Sequence, residues 1–160
     1  MNFQPRILLF LVSCSFLLIA CKDQKEIRNT LQNIYEFEPA LIESKDVSEE
    51  LRMLLAESCI SKKKVVSENQ EQKKIGKKFL SSGKCGFTNY RISDINIHYN
   101  KATALVSLVN SKENMEWIDT VKLVYQKRWK VDDINYNKLN SPYKPTLKEI
   151  LLRSKREIHC

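Results

Sequence analysis

Apolar and polar positions divide the chain into stretches of different kinds. Ile7 to Val12 is apolar throughout, and after Ser13-Cys14-Ser15 the run resumes at Phe16 and ends at Leu18-Ile19-Ala20-Cys21. Further on, Ile27, Leu31, Ile34 and Tyr35 fall at i, i+4, i+7 and i+8, one face of a helix that stops before Pro39. Leu51, Leu54, Leu55 and Cys59 form a second stripe of the same kind. Asp46-Val47-Ser48-Glu49 before it reads as a capping box, with Asp46 accepting backbone N–H groups and Glu49 reaching back. A helix is therefore expected over Val47 to Ile60. Ser61 to Gly86 is polar, with Val65, Val66, Ile75, Phe79 and Leu80 as its large aliphatic or aromatic residues. A partial helix around Glu68 to Leu80 would end at Ser81-Ser82-Gly83.

From Phe87 to Tyr136 β-branched and aromatic residues take over, which predicts strands. Ile95, Ile97 and Tyr99 alternate within Arg91 to Tyr99, and Asn100-Lys101 reads as a tight turn. Ala102, Ala104, Val106 and Leu108 alternate with Thr103, Leu105, Ser107 and Val109, as in a central strand covered on both sides. Ser111 to Asn114 is a loop. Trp117 to Tyr125 follows as a strand with Val121, Leu123 and Tyr125 on one face, then Gln126-Lys127 turns the chain. In the returning strand Trp129 and Val131 share a face, but Ile134 comes three residues later, so Asp132-Asp133 breaks the alternation. A β-bulge there would restore the facing. After a loop with two prolines, Thr146-Leu147-Lys148-Glu149 is a second capping box, opening a short basic helix with Leu147, Ile150, Leu151 and Ile158 on its apolar stripe. Helices followed by an antiparallel meander predict an α+β fold, N-terminal helices packed on the sheet and a short helix at the end.

The first stretch carries an address. Ile7 to Ala20 spans fourteen residues, short of the roughly 20 that a bilayer-crossing helix needs. A charged start at Arg6, an apolar middle and the small Ala20 are the order of a secretory signal. Leu18-Ile19-Ala20-Cys21 resembles the lipobox of bacterial lipoproteins, whose cysteine becomes the acylated first residue. Leu11-Val12-Ser13-Cys14 matches too, but its apolar lead-in, Ile7 to Phe10, is too short. The resemblance implies a signal peptide over 1–20, lipidation at Cys21, a tether or first helix over 21–38 and one domain over 39–160. It implies two or three acyl chains on Cys21, and two already anchor stably. Lys22 where inner-membrane lipoproteins often carry Asp points to the outer membrane, facing the periplasm.

Charge and cysteines take their meaning from that address. The chain carries +8, and without Arg6 it is 26 basic against 19 acidic residues, or +7. Lys62 to Lys84 holds eight lysines against Glu68 and Glu71. Lys62, Lys63, Lys64, Lys73, Lys74, Lys77 and Lys78 form the candidate binding surface. A basic balance attracts nucleic acid, anionic lipid or an acidic protein. Export removes nucleic acid, leaving the membrane and an acidic protein partner; a solvated lysine surface without a partner is the plain alternative. Cys59, Cys85 and Cys160 remain as thiols in an oxidising compartment, with three possible pairings. Cys59–Cys85 is favoured, closing a loop of about 25 residues worth about 3 kcal/mol.

Asp119-Thr120-Val121-Lys122-Leu123-Val124 with Trp129-Lys130-Val131-Asp132-Asp133-Ile134 resembles the closing hairpin of bacterial lipoproteins with the cone-shaped fold of nuclear transport factor 2 and the cystatin-like proteins. Ala102 to Val106 is similar to their preceding strand. The resemblance implies a curved antiparallel sheet. Gln126-Lys127 stands where that family usually has a glycine, and the pocket acids or histidine of its enzymatic members have no counterpart here. No catalytic residue, metal ligand or cofactor is assigned. His98 lacks a matched carboxylate or nucleophile and reads as structural or exposed. His159-Cys160 lacks the spacing of a metal site. Trp117 and Trp129 read as core aromatics. Two functions fit: a tethered protein-binding module, of which an immunity or inhibitor protein against a periplasmic toxin is the specific form, or a carrier of a small molecule or lipid in the cavity of the fold.

Overall fold

A computed structural model describes residues 21–36, 41, 43–63, 87–137 and 145–158, the side chains of 59–63 and 155–158 excepted. Helix α1 covers residues 21–36. Helix α2 (Glu49–Lys63) follows, then strands β1 (Asn89–His98), β2 (Lys101–Asn110), β3 (Met115–Tyr125) and β4 (Trp129–Asn135), and helix α3 (Leu147–Ile158). The strands form one antiparallel sheet in the order β1-β2-β3-β4. The fold is α+β.

The alternation in β2 sets the layers. Ala102, Ala104, Val106 and Leu108 are buried, facing Leu123, Val121, Asp119 and Trp117 of β3 in register. Onto this face α1 lays Ile27, Leu31, Ile34 and Tyr35, α2 lays Leu51 and Leu55, and α3 lays Leu147 and Leu151, in a single core cluster. The first helix is thus part of the folded unit rather than a tether. The described helices all pack on this one face, and the expected cover over the other would fall to residues outside the description. Thr103 and Ile118 are exposed there, and Leu105, Val109 and Val124 are half-buried.

Trp129 shows how α1 is held. Its indole Nε1 donates to Asp23 Oδ1 (3.3 Å), its backbone N–H donates to Glu26 Oε1 (3.1 Å), and its carbonyl accepts from Thr30 Oγ1 (3.1 Å). Three successive turns of the helix therefore grip one residue. At the helix's other end Tyr35 packs among Phe87 and Tyr90, and Tyr90 donates to Glu36. Arg28 reaches the Ile92 carbonyl in between.

Helix α2 starts two residues later than its sequence suggests, because its cap is Ser48, whose Oγ accepts from Leu51 N–H (3.2 Å). Asp46 is used otherwise. Residues 46–48 run beside β4 as a parallel bridge, Ser48 N–H donating to the Val131 carbonyl and Val131 N–H to the Asp46 carbonyl, both 2.8 Å. The Asp46 carboxylate binds Arg128 and accepts from Asn33. An exposed cap would waste that buried carboxylate; Ser48 serves the helix and frees it for the guanidinium. The Thr146–Glu149 box forms as expected, Thr146 N–H donating to Glu149 and Glu149 N–H to Thr146.

The expected bulge is present. Lys122 pairs with Asp133 and Leu123 with Val131, leaving Asp132 as the extra residue, so that Val131 and Ile134 both enter the core. A second bulge in β1 was not foreseen: Ser93 pairs with Leu105 and Asn96 with Thr103, with Asp94 at φ 46°. The turns also differ from expectation. Tyr99-Asn100 forms the first, so Tyr99 leaves the strand face and stands 88 % exposed. Gln126 to Arg128 forms the last, with Lys127 at φ 65°.

Three variants test this account by chemical denaturation. Trp129→Ala removes a side chain only 1 % exposed and should cost about 3–5 kcal/mol. Ser48→Ala should cost about 1 kcal/mol as a lost cap, and Asp46→Ala about 2 kcal/mol, because it strands Arg128 and Asn33. A larger loss at Ser48 than at Asp46 would contradict the assignment.

Candidate functional site

Each candidate from the sequence has a definite standing in the structure. Cys21 is described: its thiol is exposed and unpaired, and it lies in the first described turn of α1. The signal stretch 1–20 lies outside the described residues, as do Lys64, Lys73, Lys74, Lys77, Lys78, Cys85, His159 and Cys160. Lys62, Lys63 and Cys59 are in α2 without described side chains, so the Cys59–Cys85 pairing and the lysine surface fall outside the description too. Among the described residues no helix is long and apolar enough to cross a membrane. Among them, too, no three His, Cys, Asp or Glu side chains are placed to hold a metal ion.

What the structure brings together is a groove on the other sheet face, about 550 Å³ in volume. Register builds it. Asn96 stands opposite Thr103, Thr103 opposite Lys122, and Lys101 lies between His98 and Val124. These side chains, with Asp132 of β4, line the groove. His98 is exposed, its ring edge-on to Tyr99 at 4.6 Å. Two ammonium groups, one of them facing Asp133, an imidazole, an amide and a hydroxyl stand with the Asp132 carboxylate on one face, a polar and mildly basic lining. Catalysis would need a nucleophile next to a base, and His98 touches no such partner among the described residues.

The acid pair Asp132-Asp133 is occupied with holding the fold. Asp132 accepts from Lys148 Nζ at 2.9 Å, and Glu50 accepts from the same ammonium at 2.7 Å. Asp133 Oδ1 accepts from the backbone N–H groups of Ile134 (2.9 Å) and Lys148 (3.0 Å), while its Oδ2 faces Lys122 at 3.5 Å. A carboxylate at the first turn of α3 also complements the helix dipole. The bulge thus turns one acid toward the N-terminus of α3 and the other toward its lysine, tying β4, α2 and α3 together.

Titration follows this geometry. Burial alone would lower the Lys148 ammonium, but hydrogen bonds and charge from Glu50 and Asp132 outweigh it and hold the group above its usual value. Burial, reinforced by Asp119, raises the Tyr35 phenol far above its usual range. Burial, then Tyr35, Asp119 and Asp133, do the same to Tyr136. Burial and the hydrogen bond to Glu36 raise Tyr90. None of these phenols ionises near neutral pH, so none is poised for acid–base work.

The groove was readable only in part. Asn96 with His98, Lys101 with Thr103, and Lys122 with Val124 each show the two-residue spacing of one strand face. The pairing that puts them side by side depends on turn lengths, which the sequence left a residue out at two hairpins. No protein-family model matches the chain, and neither a curated protein nor a solved structure matches it.

Because the Lys148 ammonium is held above 10.5, the stability it contributes is fully present below that pH and is lost as pH rises through the elevated folded-state value. The stability deficit of Lys148→Met against wild type should be constant from pH 6 to 9, as expected for a lysine titrating above about 10.4. It should shrink above pH 10.5. Denaturation midpoints across that range measure it, and a deficit that grows with alkalinity would refute it.

Proposed function

We propose that the chain is a lipid-anchored protein of the bacterial envelope, held by acyl chains on Cys21 and facing the periplasm from the outer membrane, as Lys22 favours. It acts as a non-enzymatic protein-binding module with the cone-shaped fold shared by nuclear transport factor 2-like and cystatin-like lipoproteins. Its specific form is an immunity or inhibitor protein that guards against a toxin entering the periplasm. The observation that carries this reading is Cys21 itself. The lipobox cysteine is an exposed, unpaired thiol in the first described turn of α1, accessible to an acylating enzyme and next to the folded unit.

Support for a binding module over a carrier comes from the two sides of the sheet. Between helices and sheet the space is filled by Ile27, Leu31, Ile34, Leu51, Leu108 and Trp129, all buried. The other face presents Lys101, Lys122 and His98 around a groove, and further along β3 Ile118 is 44 % exposed. A mildly basic surface with an exposed apolar side chain on the same strand suits an acidic protein partner.

Metabolic labelling with palmitate, followed by envelope fractionation, tests the anchor. Wild type should carry label and sediment with outer membranes, and Cys21→Ser should carry none. Capture of tagged wild-type protein from envelope extract tests the module. A stoichiometric acidic partner lost in high salt supports it, and Lys122→Glu should weaken capture about tenfold, on the order expected for a charge reversal at an interface. A co-purifying small molecule without a protein would favour the carrier instead.

A further inference from the structure

The end of the molecule that holds Cys21 also gathers exposed aromatic and basic side chains. Asp23, two residues after Cys21, is bonded to the Trp129 indole, so the start of α1 lies beside the β3–β4 turn, Gln126 to Arg128. The Tyr125 N–H donates to the Asn100 carbonyl at 2.8 Å, which joins that turn to the β1–β2 turn, Tyr99-Asn100. This end thus carries Tyr99, 88 % exposed, and Tyr125, 46 % exposed. Lys22, Lys25, Lys101 and Lys127 are all exposed around them. Asp23 and Glu26, half-buried and accepting from Trp129, offset part of this charge, and the four lysines leave the end net basic.

Backbone conformation adds an independent sign. Tyr99 at φ 54° and Lys127 at φ 65° occupy the left-handed region at the tips of both turns. Glycine fits there without cost, whereas a side chain costs about 1 kcal/mol or more. Both tips nonetheless carry a side chain suited to a lipid headgroup layer, one amphipathic ring and one ammonium.

We propose that this hairpin end is a docking surface for an anionic phospholipid bilayer, lying flat on the headgroups around the acylated Cys21. The proposal rests on the anchor reading above and adds an orientation to it. The chain is helical from Cys21 onward, so no linker separates the acyl chains from the folded unit. With the anchor inserted, the surface contact becomes intramolecular and four lysines suffice to fix the pose. The sheet then stands with its strands rising from the membrane, and the β2–β3 turn with Lys112 points away from it. The groove opens sideways, low on the face opposite the described helices.

Lysine modification by a water-soluble acylating reagent, read by mass spectrometry, tests this on the full-length protein produced in cells. Protein in phosphatidylglycerol-containing vesicles should react about tenfold more slowly at Lys101 and Lys127 than protein in neutral detergent, each lysine gaining on the order of fivefold from an anionic surface. Lys112 should react equally in both. Protection should be lost on purely phosphatidylcholine vesicles, and Lys101→Glu with Lys127→Glu should expose Lys22 and Lys25 on the anionic ones. Unprotected Lys101 and Lys127, equal protection at Lys112, or equal protection on neutral vesicles would each overturn the proposal. The mass of the Cys21 peptide in the same digest reads the anchor separately. If that peptide is unacylated, the anchor reading fails, and flotation of the same chain with the anionic vesicles decides the surface: co-flotation lost in the double lysine variant supports it, and absence of co-flotation overturns it.

Discussion

Helix α1 and strand β4 are about as far apart along the chain as two packed elements here can be, and Trp129 is where they meet. Its indole, its amide and its carbonyl are bonded to Asp23, Glu26 and Thr30, on consecutive turns of one helical face. The ring lies under Tyr125 with centroids 5.5 Å apart and is almost fully buried. One residue therefore fixes the rotation of α1 about its axis, its distance from the sheet and the position of its first described turn. The place of the Cys21 thiol relative to the hairpins is inherited from Asp23, two residues on.

Carboxylates do the same work at the other helices. Asp46, through its backbone and side chain, joins the start of α2 to β4 and to Arg128. Asp132 and Asp133 receive α3 through Lys148. All three contacts converge on β4, an edge strand whose outer side is covered at Val131 by residues 46–48 and at Asn135 by Thr146. A sheet edge needs such cover to stay inert, and here the cover also positions the helices.

Periodicity made the helices, the meander and the bulge at Asp132-Asp133 legible in the sequence. The stripe of Ile27, Leu31, Ile34 and Tyr35 is the buried face of α1, because a 3.6-residue repeat leaves little freedom in which side packs. Local chemistry was less decisive where two roles competed for one residue. Asp46 fits an N-cap by composition, yet Ser48 takes that role because Asp46 has a distant cation to satisfy. The bulge at Asp94 had no signal, since it disturbs no strong alternation. The groove escaped notice because its members sit on four strands, and neighbours across strands follow from turn geometry rather than from spacing. A tyrosine at φ 54° in the first turn defeats the usual expectation of asparagine or glycine there.

Strand β1 is the edge with a neighbour on one side only among the described residues. Its bulge divides it into Asn89–Ser93 and Asn96–His98, and Arg28 already occupies the Ile92 carbonyl. Neither piece offers a long straight ladder to another chain. On the proposed membrane anchor, where copies would share one orientation and meet often, that interruption would matter more than in free solution. A single aspartate in the left-handed region thereby shortens the straight ladder that a second copy could pair with.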